Sequence, residues 1–225
     1  MPNKKATMPL MKRLNEDNTI EIGIDEAGRG PMFGRVYAAA VVLPIENFKH
    51  EDMKDSKKFH SEKKIKVVAD YIKQNAIAWG IGWCSEEHID SLNIRRATHQ
   101  AMHQAVDIVI KKMELIDLNE IHLLVDGNDF TPMMRVSGDS SLIIHNTMIE
   151  GGDNKLTPIA AASILAKVER DAYINELCDT DPTLDEYYGI RKNKGYGTKY
   201  HMDGIRKHGI TEHHRKTFGI CKHFA

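Results

Sequence analysis

The stretch Ile20–Pro44, IEIGIDEAGRGPMFGRVYAAAVVLP, limits the possible folds more than any other part of the chain. Ile20, Ile22 and Ile24 alternate with Glu21 and Gly23, the period of a strand. That strand ends in two adjacent carboxylates, Asp25 and Glu26. Ala27-Gly28-Arg29-Gly30-Pro31 follows, a run that neither a helix nor a central strand accommodates. Val36–Leu43 is again apolar and β-branched and predicts a partner strand. Two carboxylates at a strand end, beside a glycine loop that lets backbone approach a ligand, offer oxygen ligands for a cation and N–H groups for a phosphate. An isolated Asp-Glu pair in a hairpin fits a solvated acidic turn equally well, so the rest of the chain has to decide.

Residues 45–60 form a polar connection holding Asp55-Ser56-Lys57-Lys58, whose Ser and Lys are good phosphate ligands. Residues 61–75 predict an amphipathic helix with Ser61 as N-cap and Ile65, Val68, Ala69 and Ile72 on one face. Ala76–Cys84 alternates as a third strand, and Glu86–Met113 carries helical spacing through Ile89, Leu92, Ala101, Ala105 and Val109. Within that helix His99 and His103 are four apart. No third ligand lies near them in sequence and the string is not HExxH, so they read as helix-surface histidines rather than a zinc site. Ile121–Val125 predicts a buried strand running into Asp126-Gly127-Asn128, a second carboxylate where open α/β sheets bind ligands; Asp129 competes for the same role. Leu142–Ile149 predicts a fifth strand. Thr157–Cys178 predicts a helix, small and apolar at first and then charged at Lys167, Glu169, Arg170 and Asp171. Spacing alone leaves Asp171 on the surface.

These strings resemble ribonuclease HII. The Asp-Glu-Ala-Gly-Arg-Gly-Pro run, Asp-Ser-Lys-Lys, the strand-end Asp126, the Ala-Ala-Ala-Ser-Ile-x-Ala-Lys-Val-x-Arg-Asp helix, Lys194-Gly195-Tyr196-Gly197 and His213-His214-Arg215-Lys216-Thr217-Phe218 occur in that family's order from Ile20 to Phe218. The resemblance implies an α/β fold of the ribonuclease H type, a five-stranded mixed sheet with helices on both faces and a small C-terminal helical appendage. Three strands joined by short links fit an antiparallel meander, and the two that follow helices can lie parallel. It implies Asp25, Glu26, Asp126 and Asp171 as catalytic residues and ligands of two Mg²⁺ or Mn²⁺ ions, with Asp25 bridging, Glu26 and Asp126 on the leaving-group side and Asp171 on the nucleophile side. Four carboxylates in one place repel each other unless cations join them. Substrate contacts are expected from Gly28, Arg29, Gly30, Ser56, Lys57, Ser163, Lys167, Tyr196 and Arg215. The implied activity is endonucleolytic cleavage of RNA in RNA–DNA hybrids and incision 5′ of ribonucleotides embedded in duplex DNA, leaving 3′-hydroxyl and 5′-phosphate ends. The glycine pair around Arg29 argues for type HII over type HIII. A hybrid-binding protein without cleavage, and a metal-dependent phosphomonoesterase, are the alternatives; the retained carboxylates oppose the first and the basic tail the second.

Charge distribution supports a polyanionic partner. Gly189–Ala225 holds nine Lys/Arg against two Asp/Glu, whereas the whole chain of 225 residues carries a net charge of −1, so the remainder is acidic. Three widely spaced cysteines, Cys84, Cys178 and Cys221, fit reduced thiols in the cytoplasm and no disulfide framework. No apolar run reaches the roughly 20 residues of a membrane span, and residues 1–17 do not read as a secretory signal. The expected organisation is a flexible extension over 1–16, a catalytic domain over 17–182 and a basic substrate-binding appendage over 183–225, in a monomer.

Overall fold

The computed structural model describes residues 9–114, 117–137 and 140–225. β1 (Ile20–Ala27) and β2 (Val36–Val42) form a hairpin around the glycine loop, and β2 pairs again with β3 (Ala78–Cys84), both antiparallel. β4 (Ile121–Asp126) lies parallel to β1, and β7 (His145–Ile149) parallel to β4. The sheet order is therefore β3-β2-β1-β4-β7, a mixed five-stranded sheet with β1 at its centre. The smaller ribbon of β5 (Met134–Ser137) and β6 (Ser140–Ile143) is a separate antiparallel pair.

Helices cover both faces because β2, VYAAAVV, is apolar on both. Val36, Ala38, Ala40 and Val42 join Ile22 and Ile24 against α3 (Ile94–Lys112), whereas Ala39 and Val41 pack with α1 (Glu62–Asn75) and α4 (Thr157–Thr180). The first half of α4, with four alanines in ten residues, lets it lie close on β1. At Gly23 the approach is closest: a methyl placed there would overlap the Pro158 carbonyl. After α4 come α5 (Thr183–Tyr188), α6 (Ile190–Asn193) and α7 (Lys199–His208). Leu184, Tyr188, Ile190 and Ile205 from these helices share an apolar cluster with Met32 and Phe33 of the glycine loop and Tyr173 and Ile174 of α4.

Four local expectations need correction. The helix predicted over Glu86–Met113 is two helices, α2 (Glu86–Leu92) and α3, because Asn93 adopts a positive φ of 71° and caps α3 by accepting from Arg96 N. The predicted strand Leu142–Ile149 is divided at Ile144, whose N–H donates to Met133 O; its first part belongs to the β5–β6 ribbon and its second to the main sheet. Of the expected flexible extension, residues 1–8 lie outside the described residues, but 9–16 are tied down. Met11 N donates to Lys155 O, and the buried Glu21 carboxylate accepts from Leu14 N and Asn15 N. His99 is also buried, not on a helix surface; its Nδ1 pairs with Thr131 Oγ1 at 2.8 Å while His103 Nε2 bonds Thr131 O. Among the described residues no helix is long and apolar enough to cross a membrane.

The Gly23–Pro158 contact yields the first prediction. Gly23→Ala forces α4 away from β1 and lowers stability by about 1–3 kcal/mol, the usual cost of overpacking. Urea denaturation reads it, and an unchanged midpoint would show that the contact is slack.

Candidate active site

The pairing of Ile24 with Val125 brings the next residues, Asp25 and Asp126, side by side at the C-terminal ends of adjacent parallel strands. Along β1 the isoleucines point into the α3 core, so Gly23 and Asp25 face α4. Asp25 is 5% exposed. Its Oδ1 accepts from Glu26 N at 2.7 Å, and it also takes a hydrogen bond from Ser163 of α4, whose Oγ lies 3.0 Å from Ser56 Oγ. Asp126 Oδ1 accepts from Gly152 N at 2.7 Å. Asp129, the competing carboxylate, is committed elsewhere: both its oxygens accept from Arg95 at 2.6 Å.

Electrostatics bind the carboxylates into one unit. Burial, then the charges of Glu26 and Asp126, push the Asp25 carboxyl well above its ordinary value. Burial also raises Glu26, against the opposing pull of Arg29, whose guanidinium is 3.4 Å away. Asp153, just after Gly152, is raised by burial and by Asp55 and Asp126. Sequence reasoning missed this residue; its one signal was a carboxylate directly after the Gly151-Gly152 break. Lys57 sits in the field of Asp55, Asp153, Asp25 and Asp126, which outweighs the lowering effect of its own burial and raises it. On α4, Ser163, Lys167 and Asp171 follow at intervals of four and form one stripe. Lys167 Nζ pairs with Asp171 Oδ2, and Asp171 Oδ1 is buried with no hydrogen-bond partner.

These residues fit a divalent cation. The donors are all hard oxygens, the charges of Glu26 and Asp126 hinder ionisation of the buried Asp25, and one buried oxygen of Asp171 on the α4 stripe is left unpaired. Among the described residues no three His, Cys, Asp or Glu side chains already stand close enough together to hold an ion.

The glycine loop is held from beneath. Gly28 has a φ of 94°, and a side chain there would run into Arg170. Arg215, expected to contact substrate, is instead fully buried, and this corrects that expectation. Its Nη2 donates to Gly28 O at 2.6 Å, its Nη1 to Arg29 O and Pro31 O at 3.0 and 2.7 Å, and its Nε to Gly34 O at 2.8 Å. Burial lowers it to about 9, with nearby Arg170 adding to the effect. Arg170 does the same from α4, donating to the carbonyls of Arg35, Phe33 and Lys194. Ser56 and Ser163 are likewise buried, and their hydroxyls bond to each other rather than facing solvent. Met32 N donates to Gly195 O, which sets the Lys194-Gly195-Tyr196-Gly197 turn against the loop. Tyr196 is 51% exposed, and a methyl placed on Gly30 would sit 3.5 Å from its Cε1, ordinary contact distance, so the ring lies beside the loop.

A model of the ribonuclease HII family matches residues 22–221, the span that contains all of these groups. The chain belongs to the ribonuclease HII family. It is 48% identical to ribonuclease HII of Parabacteroides distasonis over 91% of this chain and 92% of that one, and 44% identical to that of Bacteroides thetaiotaomicron over 94% of each. Its fold matches the ribonuclease H2 of Pyrococcus horikoshii OT3 with a TM-score of 0.69 at 18% identity, over 91% of this chain and 96% of that one. As a ribonuclease HII it is an endonuclease of the ribonuclease H class, which acts on RNA–DNA hybrids and depends on divalent metal.

Two predictions follow from the site. Arg215→Met leaves several carbonyls without a donor at about 1–3 kcal/mol each when none is recovered by water. The variant therefore unfolds at distinctly lower urea and cleaves hybrid poorly, and Arg215→Lys, with one compact ammonium, does not restore it. Wild-type melting and cleavage by Arg215→Met would exclude the scaffold role.

The second concerns metal and pH. Folded-state values of Asp25 and Glu26 lie above their ordinary 3.8 and 4.5, so just above those values the ion-free folded protein binds more protons than the unfolded chain. Its contribution from these groups falls as pH rises through that window. A divalent cation favours the ionised carboxylates, so Mg²⁺ or Mn²⁺ raises the melting temperature more at about pH 8 than at about pH 4. Calorimetry with EDTA as reference would show equal shifts at both if the carboxylates hold no ion.

Proposed function

We propose that this ribonuclease HII incises duplex DNA 5′ of embedded ribonucleotides as well as the RNA strand of hybrids, by two-metal-ion hydrolysis. The observation that carries the reading is the grouping itself: buried Asp25 in the field of Glu26 and Asp126 at the C-terminal ends of the central strands, a glycine loop beside them, and Tyr196 next to Gly30. Asp25, Glu26, Asp126 and Asp171 would hold two Mg²⁺ or Mn²⁺ ions, which when bound activate water and neutralise charge on the phosphate and the leaving oxygen. Water attacks the phosphorus, the bond to the 3′-oxygen breaks, and the ends are a 3′-hydroxyl and a 5′-phosphate.

The chain's own residues position the substrate. Arg215 takes the carbonyls of Gly28 and Arg29 from below, so a 2′-hydroxyl, which both donates and accepts, would meet the loop through its N–H groups and the Gly30 carbonyl. Lys57, drawn toward the carboxylates, can neutralise the scissile phosphate or its neighbour. Lys167 holds Asp171 oriented along the α4 stripe. Tyr196 presents an exposed ring on which the deoxyribose 3′ of the ribonucleotide stacks, so a ribose at that next position crowds it. The division into a catalytic body over 17–182 and a substrate-binding appendage over 183–225 belongs to this proposal, since Tyr196 comes from the second and the carboxylates from the first. A monomer in the cytoplasm completes it; the free, buried cysteines suit a reducing compartment.

The test uses a duplex with one ribonucleotide and a uniform RNA–DNA hybrid under single turnover, with Mg²⁺ and with EDTA. Wild type cleaves both only with metal. Asp126→Asn abolishes cleavage of both but still binds, because the amide keeps the shape and loses the charge. Tyr196→Ala lowers cleavage of the single-ribonucleotide duplex far more than that of the hybrid, with Tyr196→Phe in between. Near-wild-type rates for Asp126→Asn would remove it from the site, and equal losses for Tyr196→Ala on both substrates would remove the junction reading.

A further inference from the structure

Behind Tyr196 lies a pair of histidines that the catalytic groups do not use. His201 and His214 are 0% and 1% exposed, and their Nε2 atoms are 3.1 Å apart. Two ring nitrogens in contact need one proton between them, and the surrounding bonds say where it is. Thr211 N, which can only donate, lies 2.9 Å from His214 Nδ1, so that nitrogen is the acceptor and neutral His214 carries its proton on Nε2. His214 Nε2–H therefore donates to His201 Nε2. His201 then has its proton on Nδ1, which lies 3.0 Å from Tyr196 O and donates to it. Burial lowers both histidines, His214 to about 3, so the two rings stay neutral. A third proton would set either His214 Nδ1–H against Thr211 N–H or His201 Nε2–H against His214 Nε2–H.

The chain of bonds thus has one direction, from Thr211 through two imidazoles to the carbonyl of Tyr196. It also touches the glycine loop. The His214 ring stands edge-on to Phe33, with centroids 5.0 Å apart, and Phe33 and His214 form an isolated antiparallel bridge. Phe33 lies in the glycine loop, and Arg215, next to His214, carries that loop's carbonyls. One pair of rings therefore ties the backbone of Tyr196 to the loop that faces its side chain.

We propose that His201 and His214 are positioning residues that fix where Tyr196 stands relative to the Gly30 loop, and hence the preference for a ribonucleotide followed by deoxyribose. The proposal rests on the junction reading of Tyr196 given above. His201→Phe keeps the volume but loses both bonds. It lowers the ratio of single-ribonucleotide to hybrid cleavage by roughly tenfold, on the order of one hydrogen bond's worth of rate. His201→Asn keeps a donor for the Tyr196 carbonyl and retains most of the ratio. Tyr196→Ala is the reference. If Tyr196→Ala shifts the ratio and a cooperatively melting His201→Phe does not, the positioning role is wrong while the junction reading stands. If Tyr196→Ala leaves the ratio flat, the junction reading fails and the positioning role fails with it. A purely structural role would lower both substrates equally. Nitrogen-15 NMR of the unaltered protein tests the pair independently of any variant: His201 as the Nδ1–H tautomer and His214 as the Nε2–H tautomer support it, and the reverse assignment overturns it.

Discussion

Two guanidinium groups lie beneath the glycine loop with almost no contact with water, and the active-site surface is built on them. Taking a cation out of water costs several kcal/mol unless its N–H groups are all received, and two cations near each other add repulsion. Here the acceptors are loop carbonyls. Arg215 donates to four of them, and Arg170 to two as well as to the Lys194 carbonyl outside the loop, in a backbone that turns sharply because Gly28 permits a φ of 94°. The exchange works in both directions. The loop's inward carbonyls would be unsatisfied without the arginines, and the arginines would be intolerable without the carbonyls. With those carbonyls held inside, the loop's remaining polar groups are the ones available at the surface, beside Asp25 and Glu26.

The same arrangement couples the two halves of the site through α4. Its N-terminal turn rests on Gly23, its middle supplies Ser163 to Asp25, and further on Arg170 turns inward while Asp171 keeps one oxygen with Lys167. A helix packed this closely at its start leaves little freedom later, so the depth of Asp171 relative to β1 follows from the alanine-rich first half. Buried cations under the loop and mutually hindered carboxylates beside it give the region a layered charge pattern. Burial raises Asp25 and Glu26, and the nearest opposite charges are the exposed Arg29, 3.4 Å from Glu26, and the exposed Lys57. That leaves the compensating charge to be supplied by whatever binds.

Much of this could be read from the chain. The strands of the main sheet, the parallel and antiparallel connections, the long α4 and the strand-end carboxylates all announce themselves through periodicity and punctuation. What could not be read depends on partners far away in sequence. Arg215 stands in the string His-His-Arg-Lys, where basic residues suggest phosphate contacts, yet its acceptors lie more than 180 positions earlier. Ser56 and Ser163, 107 residues apart, meet each other, so neither is left as a surface hydroxyl. The break at Asn93 rests on one residue entering the left-handed region, which helical spacing on both sides conceals. The β5–β6 ribbon escaped because its short second strand runs almost directly into β7, and the apolar spacing reads continuously through Ile144.

Charge counting shows the same limit in the tail. Of its nine Lys/Arg, Arg215 and Lys194 are buried, the latter with its Nζ 2.9 Å from Asn175 Oδ1. Arg191 pairs with Asp179, and Arg206 and Lys199 both pair with Asp203. The net positive charge is real, but more than half of it is engaged in holding the appendage together and to the body. Counterion release follows phosphates actually neutralised, not formal charge. What the tail demonstrably does is structural: it holds the Tyr196 turn against the glycine loop and supports that loop through Arg215, while among the described residues Lys192, Lys207, Lys216 and Lys222 enter none of these pairs.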